Sequence, residues 1–308
     1  MDGWIILDKP KGMTSRAAGA RLARMFGMKK FGHLGTLDPM ASGVLPIALG
    51  NATKMISYLD DLWARPHFDE FGRQTGAKEY AFGIQWGFET DTLDITGEIT
   101  KQDGRLPEYK KVDAICNDYA GEIEQTPPAY SAVHVGGRRA YELARAGLDV
   151  KISPRKIVIY NLVLGQSDSL DKTKGSAFLV DCSAGTYVRS LARDIGRLAG
   201  GYLATVDMIC RMRTHGFDIK DAVSLDLLEN MYNNNPKSVQ EYLKPIDFGL
   251  DDILVAELQG DDAALFQNGG IVATQDDSIG LRRVYCYGRL IGVGLNDNCA
   301  LMPKRVIK

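Results

Sequence analysis

No apolar run in this 308-residue chain approaches the roughly 18 to 20 residues that cross a bilayer, which argues against a helical membrane protein. Paired cysteines are missing too. Cys116, Cys182, Cys210, Cys286 and Cys299 are odd in number, scattered, and form no Cys-x-x-Cys. Neither a disulfide framework nor a zinc cluster is indicated. The four histidines (His33, His67, His134, His215) lack metal-ligand spacing, so the chemistry is expected to run without a bound metal. A phosphate-cradling GxxxxGK[ST] loop is also absent, since Lys54 follows Thr53 outside any such frame. The opening MDGWIILDKPKGM has no basic stretch before its short apolar run and no small-residue cleavage site after it. A cytoplasmic protein is expected.

What the chain has is ordinary globular composition, 45% hydrophobic and 25% charged, with length for one large domain and one small one. The net charge of −2 is not that of a typical nucleic-acid binder. Its distribution is uneven. Residues 1–59 carry eight Lys/Arg against three Asp/Glu, residues 138–156 six against two, and residues 246–308 six against nine. A cleft lined by the basic segments would suit a phosphate backbone, although ordinary solvated faces explain the same charges equally well.

Hydrophobic periodicity predicts a buried strand at 4–7, ended by the turn Asp8-Lys9-Pro10-Lys11-Gly12. A helix follows over 16–26, capped by Thr14 or Ser15, with Ala18, Leu22 and Met25 at helical spacing. A buried strand is predicted at 43–49 and a helix at 52–59. Tyr80, Phe82, Ile84 and Trp86 alternate with smaller or polar residues, as in a strand with one packed face. Helices are predicted at 109–119 and 187–198, and strands at 155–164 and 177–182. Residues 60–78 read as an inserted surface loop. This irregular mixture implies an α+β fold with a mixed sheet. From Ile246 on, short runs at 283–287 and 290–294 alternate with Gly, Asn and Asp, so residues 246–308 are expected to form a small, mostly β unit after a 1–245 domain.

The most distinctive stretch is residues 32–54, GHLGTLDPMASGVLPIALGNATK. Locally, Asp38 before Pro39 reads as a turn or a cap. The whole string, however, resembles the signature of the TruB-type tRNA pseudouridine-55 synthases, GHxGTLDPxASGVLPxxxGxATK. Four further segments match that family in the right order: LDKPKGMTS at 7–15, KEYAF at 78–82 with TDTLDITG at 90–97, PPAYSAVHVGGRRAYELARAG at 127–147, and GTYVRSLARDIG at 185–196. The resemblance covers roughly the first 220 residues and continues loosely into a tail similar to the small PUA-like domain of bacterial members.

The resemblance implies an α+β, mixed-sheet pseudouridine synthase catalytic domain with a small β-rich PUA-like C-terminal domain. It implies an isomerase that needs no cofactor, works on uridine 55 in the T-loop of transfer RNA, and acts as a cytoplasmic monomer without guide RNA or membrane. Asp38 is then the catalytic carboxylate, attacking ribose C1′ as a nucleophile or taking a ribose proton to give a glycal. Arg189 pairs with it, holding it charged in a dry pocket. Tyr80 stacks on the uracil and is a candidate acceptor for the C5 proton. Tyr187 and Ile209 line the uracil pocket. Lys9 supports the strand carrying Tyr80 or meets phosphate, against the plain alternative of a solvated turn lysine. His33 fills or contacts the space left by the everted base. Residues 126–147, with Arg138, Arg139, Tyr141 and Arg145, are expected to close on the RNA stem-loop.

Two departures stand out. Where the family has LRRTxxGxF, this chain has ICRMRTHGF, with Cys210 in place of the first Arg and His215 near an expected Gly, while Arg211 and Arg213 keep the segment basic. The 60–78 insertion is longer than usual and is expected to decorate the surface. The same scaffold would also serve a non-enzymatic RNA-folding protein, which could lose Asp38. A guide-directed synthase shares the signature, but its larger, more basic tail is not the acidic one found here.

Overall fold

The computed structural model describes residues 2–165 and 175–307. At its centre lies a mixed sheet, ten-stranded among the described residues. The main path runs Val223–Ser224, Gly3–Lys9, Ser42–Leu49, Ala204–Thr214, Lys78–Trp86, Gly175–Cys182, Arg155–Gly165, Gly121–Gln125. Gly3–Lys9 runs parallel to Val223–Ser224, and Ser42–Leu49 parallel to Ala204–Thr214; the other neighbours on this path are antiparallel.

Side-chain pattern explains the layers. Period-two alternation in Lys78–Trp86 buries Tyr80, Phe82, Ile84 and Trp86, and Phe82 stacks on Phe178 at 5.0 Å. Helix Ser15–Met25 starts where Thr14 Oγ1 accepts from the Ala17 amide at 3.1 Å, and it buries Ala18 and Leu22. Helix Val188–Leu198 buries Leu191, Ala192 and Ile195 in the same apolar cluster as Ile209 and Phe82. Each fully buried Leu or Ile contributes about 1.5–3 kcal/mol.

One junction decides where the 32–54 segment sits. Ser42–Leu49 meets Ala204–Thr214 with Gly43 opposite Arg211. Gly43 has φ +98°, and a Cβ there would lie 2.3 Å from the Arg211 carbonyl oxygen. Only glycine permits that approach, which places the loop before Ser42 one strand away from Tyr80, with Arg211 paired to Gly43 on one side and to Tyr80 on the other.

Two local expectations change. The helix predicted at 52–59 is a 3₁₀ turn, Gly50–Lys54, followed by the α-helix Ile56–Leu62. That helix runs into the insertion because Asp60 and Asp61 face solvent and do not interrupt it. Beyond it, the insertion is a short hairpin, His67–Phe68 with Gln74–Thr75, not an open loop. Trp63 stacks on His67 at 4.0 Å and anchors its base.

The C-terminal sheet is ordered Leu254–Glu257, Gly280–Cys286, Arg289–Asp297, Ala300–Val306, Val272–Ala273. Helix Gly260–Gln267 covers it, with Phe266 packed among Val284, Ile291 and Leu301. This β-rich unit fits a PUA-like domain. It shares an apolar cluster with the main sheet, in which Leu290, Val293 and Ile307 join Trp4, Leu59 and Phe217. Among the described residues no helix is long and apolar enough to cross a membrane.

Candidate active site

The loop carrying Asp38 is braced from several directions. Ser15, at the start of its helix, accepts from the Leu37 amide at 2.9 Å and donates to the Leu37 carbonyl at 3.0 Å. The Gly12 amide donates to the Pro39 carbonyl at 2.7 Å, and the Ala41 amide to the Asp38 carbonyl at 3.1 Å. The side chain of Asp38 is thereby held at a cavity wall with 40% of its surface accessible.

Its partner arrives from across the sheet. Arg189 is the second residue of helix Val188–Leu198, the end where the backbone dipole disfavours a cation. Anionic partners offset that cost. Nη2 lies 2.8 Å from the Asp38 carboxylate and Nη1 3.6 Å from that of Asp94, while the Arg189 side chain is only 5% exposed. The guanidinium also donates to the Thr92 carbonyl at 2.9 Å and the Tyr130 carbonyl at 3.0 Å. A charge-assisted pair held this way keeps the Asp38 carboxylate oriented.

Six of the expected residues, His33, Asp38, Tyr80, Tyr187, Arg189 and Ile209, line one cavity of about 1020 Å³. Tyr80 and Ile209 are nearly buried and form part of its apolar wall. Tyr187 caps the Arg189 helix, and its backbone is clamped by Gln125, which accepts from the amide at 2.8 Å and donates to the carbonyl at 3.2 Å. Burial pushes the Tyr187 hydroxyl above its usual range. His33 bonds to Thr36 Oγ1 at 3.0 Å. Burial first, and the nearby Arg211 charge second, hold its imidazole below the ordinary histidine range, so it is neutral near pH 7.

Lys9 is a correction. It neither lines the cavity nor reaches solvent. Its Nζ donates to the Pro10 and Met13 carbonyls at 2.8 and 2.7 Å and to the Pro39 carbonyl at 3.5 Å. A side chain enclosed like this meets no phosphate, and its partners lie in the Asp38 loop and the turn after Lys9, not on the Tyr80 strand. Burial lowers its pKa to about 8, against the opposing pull of Asp38.

The ICRMRTHGF segment is also less basic in effect than its composition suggests. Arg211 is wholly buried, and Arg213 is tied to Asp181 at 3.2 Å and Glu79 at 3.7 Å. His215, at the position near an expected Gly, adopts φ +49°, the left-handed region glycine favours. Residues 126–147 carry a hairpin, His134–Val135 with Arg138–Arg139, and a short helix, Ala140–Arg145. Tyr141 and Arg145 from this segment border the cavity.

Two groups at the site have no counterpart among the expected residues. Asp94 sits in the TDTLDITG segment, where its Oδ1 accepts from Thr92 Oγ1 at 3.0 Å, the Thr96 amide at 2.9 Å and Thr96 Oγ1 at 2.5 Å. The spacing Thr-x-Asp-x-Thr is the one signal that could have drawn attention to it. Gln125 carries no such signal, being a single polar residue at a strand end. Among the described residues, no group of three or more His, Cys, Asp or Glu is arranged to hold a metal.

The geometry brings an oriented carboxylate, a buried guanidinium behind it and tyrosine side chains to the wall of one cavity. Comparison with known proteins places the chain in a family. A family model described as TruB family pseudouridylate synthase (N terminal domain) matches residues 23–188. The tRNA pseudouridine synthase B of Bradyrhizobium diazoefficiens is 38% identical over 314 residues, covering 99% of this chain and 85% of that one. The protein of the same name from Ehrlichia canis is 42% identical over 253 residues, covering 82% and 78%. Among solved structures, a chain from the crystal structure of a Cbf5-Nop10-Gar1 complex superposes with a TM-score of 0.68, covering 99% of this chain and 84% of that one at 22% identity, a likeness of fold. On the family match and the near-full-length identity together, this chain belongs to the TruB family of pseudouridylate synthases.

Proposed function

We propose that this protein is a stand-alone, monomeric enzyme that converts uridine 55 in the T-loop of transfer RNA to pseudouridine. In this reading residues 1–245 hold the chemistry and residues 246–308 form the PUA-like domain. The observation that carries the proposal is the 2.8 Å pair between Asp38 and the buried Arg189 at the wall of a cavity of about 1020 Å³. A uridine stacked in a folded RNA loop must be turned out to reach such a wall.

The reaction breaks the bond from uracil N1 to ribose C1′, turns the base, and joins C1′ to uracil C5; N1 gains a proton and C5 loses one. Asp38 initiates it as a nucleophile at C1′ or as a base at the ribose, and both routes need an ionised carboxylate. Arg189 keeps Asp38 aimed. Tyr80, Tyr187 and Ile209 form the wall against which the uracil turns, and Tyr80 supplies the oxygen for the C5 proton. His33 occupies the edge from which the base has left. The buried Tyr80, Ile209 and Arg189 keep water from their side of the sugar once the base is free.

The relatives named tRNA pseudouridine synthase B support transfer RNA as substrate. Base-resolution mapping of an isolated T-arm stem-loop treated with the purified protein alone tests the whole reading. Pseudouridine at the T-loop uridine is the expected product. An unmodified stem-loop that becomes modified only when a guide RNA is added would refute the stand-alone function.

A further inference from the structure

The Ala204–Thr214 strand buries a cation that the scheme above leaves without a task. Arg211 is fully buried, yet among the described residues no carboxylate lies within ion-pair distance of it. Val44 O accepts from Nε at 2.7 Å, Gly35 O from Nη2 at 2.8 Å, and Leu34 O from Nη2 at 3.4 Å. Nη1 is buried and has no hydrogen-bond acceptor. Hiding a guanidinium without a counter-ion is costly, and replacing it with an apolar side chain is often stabilising. Packing alone gives no reason for an arginine here.

Its surroundings point to Tyr80. The two residues are paired directly across neighbouring strands, so their side chains leave the sheet on one face. Burial pushes the guanidinium below its usual range, and the Tyr80 hydroxyl is the side chain that opposes this. Gly35 crowds the same corner, since a Cβ there would stand 2.9 Å from Nη1. Tyr80 borders the cavity whereas Arg211 does not. The guanidinium therefore stands behind the tyrosine and cannot touch a bound nucleotide.

We infer that Arg211 is a positioning residue for Tyr80, holding its oxygen in place and supporting the negative charge on it when it takes the proton from uracil C5. The inference rests on the isomerase reading. Tyr80 first releases its own proton to solvent. After C1′ is joined to C5, the C5–H bond breaks and its electron pair forms the C5–C6 double bond. The proton passes to the Tyr80 oxygen, and N1, left with the excess charge, takes one from solvent. The planar guanidinium suits this task better than an ammonium, because one fork grips the loop carbonyls while a free Nη1 remains for the tyrosine side.

The test compares T-arm stem-loops carrying uridine or 5-deuteriouridine at the target position, under single turnover with excess enzyme. Arg211→Lys is expected to slow conversion roughly ten- to hundredfold, the effect of losing a hydrogen bond to a charged group, with RNA affinity within about threefold. The deuterium effect at C5 rises, because proton removal becomes the slower step. In a Tyr80→Phe background, Arg211→Lys adds no further loss. An unchanged isotope effect, or an equal loss in both backgrounds, overturns the assignment. Partial misfolding does not blur the result, since an isotope effect is a ratio of rates on the same active molecules. The unaltered enzyme turning over the same stem-loop is the reference, so failure here leaves the isomerase reading standing.

Discussion

The Asp94 carboxylate lies 3.6 Å from Nη1 of Arg189, so the guanidinium that grips Asp38 also answers to a second, more deeply buried acid. If Asp38 reacts at the sugar and its charge is consumed, Asp94 is what keeps Arg189 neutralised and in place. Asp94→Asn is therefore expected to slow single-turnover conversion by roughly ten- to hundredfold while Asp38 remains intact. It also costs about 3 kcal/mol of stability, as breaking a buried pair does. Rapid-quench kinetics with urea unfolding checks both. Unaltered kinetics in the variant would show that Asp94 plays no part in holding Arg189.

Asp38→Asn separates binding from chemistry. The amide retains the size of the carboxylate and can neither attack C1′ nor take a ribose proton, so conversion should fall by at least about 10³-fold. T-arm affinity, measured by filter binding, should stay within about threefold, because the side chain forms only one wall of a large cavity. Turnover close to that of the unaltered enzyme removes Asp38 from its role.

Local elements were largely legible because their causes are local. Thr14 caps its helix where the side chain pattern demands a start, and the alternation from Tyr80 to Trp86 leaves no other choice than a strand with one buried face. The positions of His33, Asp38, Tyr80, Tyr187, Arg189 and Ile209 came from a motif resemblance, and the cavity they line gives that resemblance a geometry. Asp94, Lys9 and Arg211 were misread or overlooked for one shared reason. Each is a charged residue whose burial the fold decides: Asp94 faces Arg189 from another element, Lys9 is closed in against the Asp38 loop, and Arg211 is ringed by distant carbonyls. Sheet order brings Leu34, Gly35 and Val44 around Arg211, and no spacing along the chain announces that a basic-looking segment points its arginine inward.

Lys9 predicts a pH dependence of stability. Its folded pKa, about 8, lies below the ordinary 10.5 because burial disfavours the ammonium. Between these values the unfolded chain binds more protons than the folded one, so stability rises with pH across that window. Below about pH 8 both states are protonated, and the cost of the buried charge is present in full. The unfolding free energy of the unaltered protein should therefore grow relative to Lys9→Met by about 2 kcal/mol between roughly pH 7.5 and 9.5. Urea titrations of both proteins at the two pH values measure it. A constant difference would mean that Lys9 is not desolvated.

Gly43→Ala tests the junction that places the Asp38 loop. A methyl group at this position would stand 2.3 Å from Arg211 O and 2.7 Å from Arg211 N, on a backbone with φ +98°. Neither contact can be relieved by turning a side chain. The parallel strands must separate, at a cost of several kcal/mol. Thermal unfolding should shift down by about 10 °C or more. Val44→Ala, by contrast, leaves a cavity in the apolar cluster without forcing the strands apart, and should lower stability while retaining measurable turnover on the T-arm.

Hydrogen exchange addresses the segment expected to close on RNA. Its root is firmly held: Thr126 O accepts from Ser190 Oγ at 2.8 Å and Arg193 at 3.0 Å, and Tyr130 O accepts from Arg189 at 3.0 Å. The part beyond is thinly attached, since from residue 132 to 147 only Val133 and Ala140 are buried. Segments with so few buried contacts open locally at low free energy. Amides of 134–147 should exchange fast in the free protein and gain protection when a T-arm stem-loop is bound, with Arg138, Arg139 and Arg145 brought against phosphate. Amides of 126–131 should be slow in both states, because Arg189 and Arg193 fix that stretch before any RNA arrives. Equal protection of 134–147 with and without RNA would mean that the basic hairpin takes no part in gripping the stem-loop, and that the cavity is reached by RNA from another side.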